Sequence, residues 1–275
     1  CGCLCWEFTG QAQNDQFANL NALGYPVEML GRDALGEYGA GLENLPETAL
    51  WFPTEGFVEA DSATRALLRA AAAKGARVVS GVSVQALTEK GGRITGVKTQ
   101  VQDMPADQVI LAAGVATPAL LATLGLDLPM LSRPGLLVHT EPLPFRIDPI
   151  IVAEDGQEFR QDASGRIVAP ASMSHQSDSA EAITGDPNEL AGAALACVGR
   201  YLSGACLKVQ HITHAMRPVP GDGHPCVGPM GPDGLCVAVL HSGVTLAPLV
   251  GAMVAEEISS AVETPELSRY RPTRF

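Results

Sequence analysis

The chain has 275 residues, of which 46% are hydrophobic and 17% charged. That is enough apolar material for a large core and too little charge for a disordered chain, and the length fits one or two domains. Aromatic residues make up 5%, which leaves little for a carbohydrate- or base-stacking surface. A net charge of −12 without any Lys/Arg cluster excludes a nucleic-acid-binding protein.

The sequence opens at Cys1, with no Met and no signal-like segment, and so reads as processed or incomplete. The seven cysteines are Cys1, Cys3, Cys5, Cys197, Cys206, Cys226 and Cys236. The C-x-C-x-C start lacks the spacing of a zinc or cluster loop, so free thiols in a reducing cytoplasm are expected.

Residues 11–45 carry helix-like mixing of polar and apolar residues, broken by Gly24, Pro26, Gly31 and Gly36. Residues 54–59 have strand and turn character. Asp61 or Ser62 then caps a helix over 63–74, with Ala66, Leu67, Ala70 and Ala71 as its apolar stripe and Gly75 at its end. Val82, Val84 and Leu87 alternate towards a turn at Gly91-Gly92, and residues 94–99 complete a hairpin. Val109-Ile110-Leu111, ending at Ala112-Ala113-Gly114, predicts a strand buried on both faces in a parallel sheet.

From about Gly135 to Pro218 the texture changes. Short runs at 136–139, 150–153, 159–161 and 166–168 alternate with polar turns around one helix-like stretch, 188–202. This predicts a largely antiparallel sheet inserted into an α/β framework (α+β overall). Residues 235–255 are long enough for a bilayer span and uncharged, yet His241-Ser242-Gly243 and Pro248 interrupt them. A buried strand, a tight turn and a buried helix account for that run, with no transmembrane span.

Three constellations can carry chemistry. A helix starting at His241-Ser242-Gly243-Val244-Thr245 would point unpaired N–H groups and the positive end of its dipole outward, and so would suit an anion; an ordinary strand-to-helix turn explains it equally well. In Arg217-Pro218-Val219-Pro220-Gly221-Asp222-Gly223, rigid prolines and a turn would fix an Arg whose planar fork suits a carboxylate; a surface Arg is the alternative. Val84 and Ala112-Ala113-Gly114 stand at strand ends, where open α/β sheets bind ligands, though core packing also explains them. His211 and His214 fall on opposite faces of an extended segment, and no metal site is expected. His241-Ser242 lacks a G-x-S-x-G elbow, so a hydrolase is not expected either.

Taken in order, these pieces resemble the FAD-dependent D-amino-acid oxidase superfamily, in its glycine oxidase, sarcosine oxidase and amino-acid dehydrogenase branch. The resemblance runs from residue 55 to 275. It rests on Gly56-x-Val58 before Asp61, Gly75-Ala76, Val82-x-Val84, Arg93-x-x-Gly96-Val97-x-Thr99 and Ala106-Asp107-x-Val109-x-Leu111-Ala112-Ala113-Gly114. It continues through Arg160-Gln161-Asp162 with Gly165-Arg166, Arg217-Pro218 and Asp222-Gly223-x-Pro225-x-x-Gly228. His241-Ser242-Gly243, Leu246-Ala247-Pro248 and Arg271-Pro272-x-Arg274-Phe275 complete it.

The resemblance implies FAD and an FAD-binding Rossmann-like domain at 56–134 and 219–275, with a substrate domain at 11–55 and 135–218. Val84 would meet the adenine end of FAD, and Ala112, Ala113 and Gly114 would pass close to the cofactor. Ser242, Gly243, Val244, Thr245 and Leu246 would lie beneath the flavin's pyrimidine ring, and Arg217 would clamp the substrate carboxylate. It further implies oxidation of the Cα–N bond of a small amino acid or N-alkyl amino acid by hydride transfer to flavin, without a side-chain base. Oxygen or an electron-transfer acceptor would take the electrons. The family's G-x-G-x-x-G loop is absent; the nearest string, Gly39-Ala40-Gly41-Leu42-Glu43-Asn44, lacks the third glycine. Ser132-Arg133-Pro134-Gly135 also departs from the family's arginine–glycine pair. The Rossmann-like domain is therefore expected to be incomplete, without its N-terminal βαβ. The alternative is a non-catalytic remnant or subunit that cannot bind FAD alone, with a homo-oligomer or a complementing subunit as its partner.

Overall fold

The computed structural model describes residues 1–38, 41–171, 181–202 and 204–275, so Gly39 and Ala40 of the glycine string lie outside the described residues. The first part of the chain forms β1 (Cys3–Cys5), α1 (Gly10–Ala22), β2 (Glu28–Gly31), α2 (Arg32–Tyr38), β3 (Thr48–Phe52) and α3 (Ala60–Ala73). Next come β4 (Val84–Lys90), β5 (Arg93–Thr99), β6 (Asp103–Pro105), β7 (Val109–Leu111), α4 (Thr117–Leu121) and β8 (Met130–Leu131). The middle holds β9 (Pro134–Pro142), β10 (Ile150–Val152), β11 (Glu158–Gln161), β12 (Arg166–Pro170), α5 (Pro187–Gly199) and β13 (Val209–Met216). β14 (Val219–Pro220), β15 (Cys226–Pro229), β16 (Leu235–Val239) and α6 (Gly243–Ser260) follow, and short 3-10 turns end the chain.

Two compact units result, one from Cys1–Glu59 with Pro134–Ala215 and the other from Ala60–Arg133 with Met216–Phe275. The first unit is built on an eight-stranded sheet in the order β13-β9-β12-β11-β10-β1-β3-β2. β1 runs parallel to β10, whereas β3 pairs antiparallel with both β1 and β2, and β10–β11, β11–β12 and β12–β9 are antiparallel. β1 comes from residues outside both expected domain spans, yet it sits inside the sheet. Alternation along the strands sends Leu4, Val138, Ile151, Phe159 and Ile167 to one face, where Ala191, Ala194, Leu195 and Val198 of α5 cover them. Asp186 caps α5 by accepting from the Asn188 N–H, with Pro187 in the first turn. On the other face Cys3, Cys5 and Leu50 pack with Phe17 and Leu20 of α1. Burial pushes the Cys3 thiol up to about 12, with Cys5 adding to the shift, so it stays protonated at neutral pH.

The Asp162-to-Arg166 stretch, singled out by its motif, is the hairpin turn between β11 and β12. Asp162 is almost fully buried and accepts from the Ser164 N–H (2.9 Å), the Ser164 hydroxyl (2.7 Å) and both the N–H (3.0 Å) and Nε (2.8 Å) of Arg166. Burial alone would raise its pKa, but these hydrogen bonds outweigh it and hold the carboxyl below its usual range.

The second unit contains a three-stranded sheet ordered β15-β16-β7, a hairpin sheet ordered β4-β5-β6 and the pair β14-β8. The expected hairpin is present as β4 and β5, closed by Gly91 and Gly92 at positive φ. β7 is indeed parallel to β16, but it is an edge strand: Leu111 is buried and Ile110 is 49% exposed, so only one of its faces is covered. Three other expectations are corrected. Residues 54–59 are irregular and the strand lies earlier, at β3. The helix begins at Ala60, before either expected cap, and Asp61 instead pairs with Arg65 one turn on at 2.8 Å. None of its residues is buried; Leu67 of the apolar stripe is 66% exposed. Gly75, at φ +98°, does end it, with the Ala76 N–H returning to the Ala71 carbonyl.

Replacing Asp162 with Ala should strand the Arg166 guanidinium and several N–H donors, costing about 2–3 kcal/mol of stability by urea denaturation. Because the folded carboxyl is the more acidic, its contribution is full above the ordinary range near pH 3.8 and fades as pH falls through the folded value. The variant should therefore show a shallower acid-side loss than the wild type.

Candidate active site

β16 and α6 form the strand–turn–helix that the apolar run predicted. Leu235, Val237 and Val239 are buried, residues 240–242 turn, and α6 runs for 18 residues. Ser242 precedes the helix without a side-chain cap, and the first turn holds no acidic residue. The Leu246 N–H already donates to the Ser242 carbonyl at 2.9 Å, which leaves the donors of Gly243, Val244 and Thr245 to define the helix's positive end. A Cβ built on Gly243 meets nothing within 4 Å, so the approach to this backbone is open.

Parallel pairing of β7 with β16 puts the two strand ends side by side, in the register Leu235–Val109, Cys236–Ile110 and Val237–Leu111. Beyond β7 the chain turns at Gly114, whose φ of +56° suits glycine. A cavity of about 460 Å³ opens there, lined by Ile110, Ala112 and Gly114, by Ala238 to Leu240, by Pro218, and by one face of α6. That face presents Gly243, Ala247, Gly251 and Ala255, one small residue per turn, with Val250 and Val254 beside them. No charged side chain lines the cavity. Its walls suit a flat apolar ring.

Of the residues expected to meet a cofactor, the structure brings Ala112, Gly114 and Gly243 together on this cavity. Ala113, Ser242, Val244 and Thr245 flank it in the chain, and Leu246 packs in part against the core beneath α6. Val84 stands apart from it, opposite Thr99 on β4. Pro218, Leu240 and the small-residue face of α6 were missed. The four-residue spacing of Gly243, Ala247, Gly251 and Ala255 was the signal that could have found that face.

Arg217 directly precedes the cavity residue Pro218. Its main-chain N–H and its Nε both donate to the Arg133 carbonyl, at 2.8 and 3.2 Å. The loop after it is braced from the C-terminus. Arg274 grips Asp222 through Nε (2.6 Å) and Nη2 (2.9 Å) and donates to the His224 carbonyl at 3.1 Å, while Asp222 accepts from the His224 N–H. The Arg274 guanidinium holds the Asp222 carboxyl at about 2. The other tail arginine, Arg271, forms a two-pronged, largely buried ion pair with Glu257 of α6, which also receives the Thr264 N–H. The Arg271-Pro272-x-Arg274 motif is thus a pair of staples, one on α6 and one on the loop that follows Arg217.

Among the described residues no disulfide is formed, and burial pushes the Cys226 and Cys236 thiols up. Among the described residues no group of three or more His, Cys, Asp or Glu could hold a metal ion. No single helix among them is long and apolar enough to cross a membrane.

The Asp222–Arg274 brace should hold at all pH values above about 4 and be lost as pH falls through about 2, because the folded carboxyl is the stronger acid. Asp222→Asn should remove that acid-side transition, read as amide-exchange protection of residues 221–224. Arg271→Ala should leave Glu257 as a poorly solvated carboxylate and cost about 3 kcal/mol in denaturant unfolding.

Comparison with known proteins places this geometry in context. A family profile described as "DAO: FAD dependent oxidoreductase" matches residues 1–257. Among curated proteins, the chain is 29% identical over 266 residues to a D-amino acid dehydrogenase of Rhizorhabdus wittichii, covering 90% of this chain and 62% of that protein. It is 24% identical over 281 residues to the bifunctional protein ThiO/ThiG of Trichormus variabilis, covering 100% of this chain and 42% of that protein. The chain therefore spans less than two thirds of these relatives. Among solved structures, L-proline dehydrogenase from P. horikoshii superposes with a TM-score of 0.80 at 20% identity, over 100% of this chain and 76% of that one. Glycine oxidase from Geobacillus kaustophilus gives 0.79 at 22%, over 100% and 75%. At these identities the likeness to solved structures is one of mixed α/β fold.

Proposed function

Because the chain belongs to the FAD-dependent oxidoreductases of the DAO family, we propose that it serves oxidation of the Cα–N bond of a small amino acid or N-alkyl amino acid. The observation that carries this reading is the apolar cavity beginning at the open, uncapped N-terminus of α6, with Arg217 one residue from its wall. Its curated and structural relatives include proteins named for D-amino acids, proline and glycine.

The residues present fit the ring end of the cofactor. Ala112, Gly114, Gly243 and Ala247 offer a wall without bulky groups, and the N–H groups of Gly243, Val244 and Thr245 would stabilise negative charge on a ring edge. Bound FAD would supply the two-electron acceptor for the substrate's Cα–H hydride. Arg217 would bind the substrate carboxylate and fix the orientation of Cα, with the Arg274 brace holding the loop behind it. A neutral amine needs no side-chain base to lose hydride; the imine so formed is hydrolysed by water to an oxo acid and an amine or ammonia. Oxygen or an electron-transfer acceptor would take the electrons onward.

Three observations favour a second reading, a chain that does not hold FAD unaided. Among the described residues no glycine-rich strand-to-helix turn is available for a pyrophosphate, β7 is paired on one side only, and α3 has no buried residue. In that case the second unit is an incomplete Rossmann-like domain that needs a complementing polypeptide.

The visible absorption of the purified chain, after FAD is added and the excess removed, separates the two: a retained flavin band is expected from the first and a colourless protein from the second. With flavin retained, Arg217→Ala should raise KM for an amino acid by about a hundredfold, from loss of a charge pair worth roughly 3 kcal/mol. Unchanged kinetics would sink the carboxylate assignment. A panel of glycine, sarcosine, D-alanine, proline and 2-hydroxy acids should show turnover confined to the amino and N-alkyl amino acids.

A further inference from the structure

In the first unit, one end of the large sheet carries a polar cluster that neither the core nor the α6 cavity uses. β13 is an edge strand whose single neighbour is β9. Val138 and Thr140 of β9 are fully buried, so His139 between them faces the other side of the sheet. There its ring stacks on that of His211 from β13, with centroids 4.0 Å apart and planes at 13°. Thr213, two residues further along β13, places its Oγ1 3.2 Å from His139 Nε2. His139 Nδ1 is sealed from solvent and has no hydrogen-bond partner among the described residues. Ile212 points the opposite way and packs against the core.

These two strands matter for what they lead to. β9 starts at the residue after Arg133, and β13 ends at the residue before Arg217. Arg133 and Arg217 are themselves joined by the main-chain hydrogen bond described above. We propose that the His139–His211 stack is a positioning device for Arg217, latching edge strand β13 to β9 while His139 is neutral and releasing it when that ring is protonated. The consequence for Arg217 rests on its reading as a carboxylate clamp; the release itself does not.

The chemistry of the cluster sets the direction. A neutral His139 that donates from Nε2 to Thr213 leaves only a lone pair on Nδ1, whereas a protonated ring would put an N–H into the closed space with no acceptor. Burial lowers the ring's affinity for a proton, and His211, Arg166 and Arg160 lower it further, against Asp162. The Asp162 carboxylate is already occupied by Ser164 and Arg166, so it offers an imidazolium little. A proton on His139 would also lie at stacking distance from His211, whose proximity already lowers that ring's affinity for it. The open strand therefore binds protons better than the latched one. Latching is complete above the ordinary imidazole value of 6.5 and weakens as pH falls below it.

Amide exchange of residues 209–216, followed by mass spectrometry and corrected for intrinsic rates, tests the latch directly. Between about pH 8 and pH 5.5 the wild type should lose roughly tenfold in protection. His139→Gln, which has no ring to titrate, should stay flat, and His211→Phe, which keeps a stacked ring without a charge, should lose less than the wild type. Equal losses in wild type and variants would overturn the proposal. In FAD-loaded protein, the inhibition constant of acetate, a carboxylate without an amine to titrate, should weaken over the same interval in the wild type and not in His139→Gln. If the strand opens but acetate inhibition stays constant, the link to Arg217 is overturned. If Arg217→Ala leaves acetate inhibition unaltered, the carboxylate assignment fails instead, and the exchange result stands.

Discussion

The parallel pairing of Val109–Leu111 with Leu235–Val237 is the constraint on which the candidate site depends. It brings together two strand ends that are far apart in the chain and sets the Gly114 turn beside the start of α6. With the strands in that register, small residues at Ala112, Gly243 and Ala247 are enough to leave a cavity, because nothing on either wall reaches across. A one-residue slip would turn Leu111 outward and Ile110 into the core, exchanging a covered face for a bare one. The chemistry proposed for the site thus rests on a short ladder of main-chain hydrogen bonds.

The ladder is supported from the C-terminus. Arg271 anchors the tail to α6, and Arg274 anchors it to the loop between β14 and β15. Each arginine is fork-to-fork with a carboxylate, a geometry that fixes orientation as well as distance. The helix that offers its N-terminus and the loop that follows Arg217 therefore share one support, and a loose tail would disturb both.

Much of this was legible in the sequence where a local signal and its tertiary consequence agree. The run from Leu235 through His241-Ser242-Gly243 reads as strand, turn and helix because apolar β-formers meet a turn and then a helical pattern, and the structure has that order. The hairpin at Gly91-Gly92 and the helix end at Gly75 are equally local. What the sequence hid was burial. Val109-Ile110-Leu111 reads as a strand buried on both faces, but whether the second face is covered depends on which neighbours are present, and no residue within the run encodes that. The same holds for α3: its Ala66, Leu67, Ala70 and Ala71 form a stripe that the described residues do not cover. The roles of Asp162 and Asp222 were hidden for another reason. Their partners are backbone donors and a distant arginine, so the motifs marked the positions without revealing that both are turn braces.

The uncovered edge of β7 and the bare stripe of α3 also bear on how copies of this chain behave towards one another. A strand with free N–H and C=O groups, next to half-exposed Ile110, is a template for pairing with any similar edge. Long-range repulsion from the surplus of twelve negative charges over the whole chain opposes such pairing. That shield is weaker than a covered edge, since it thins with every increase in ionic strength and with every carboxylate neutralised. Pairing between copies at this edge would therefore respond to salt and pH through the charge of the entire surface rather than through any contact at the strand itself.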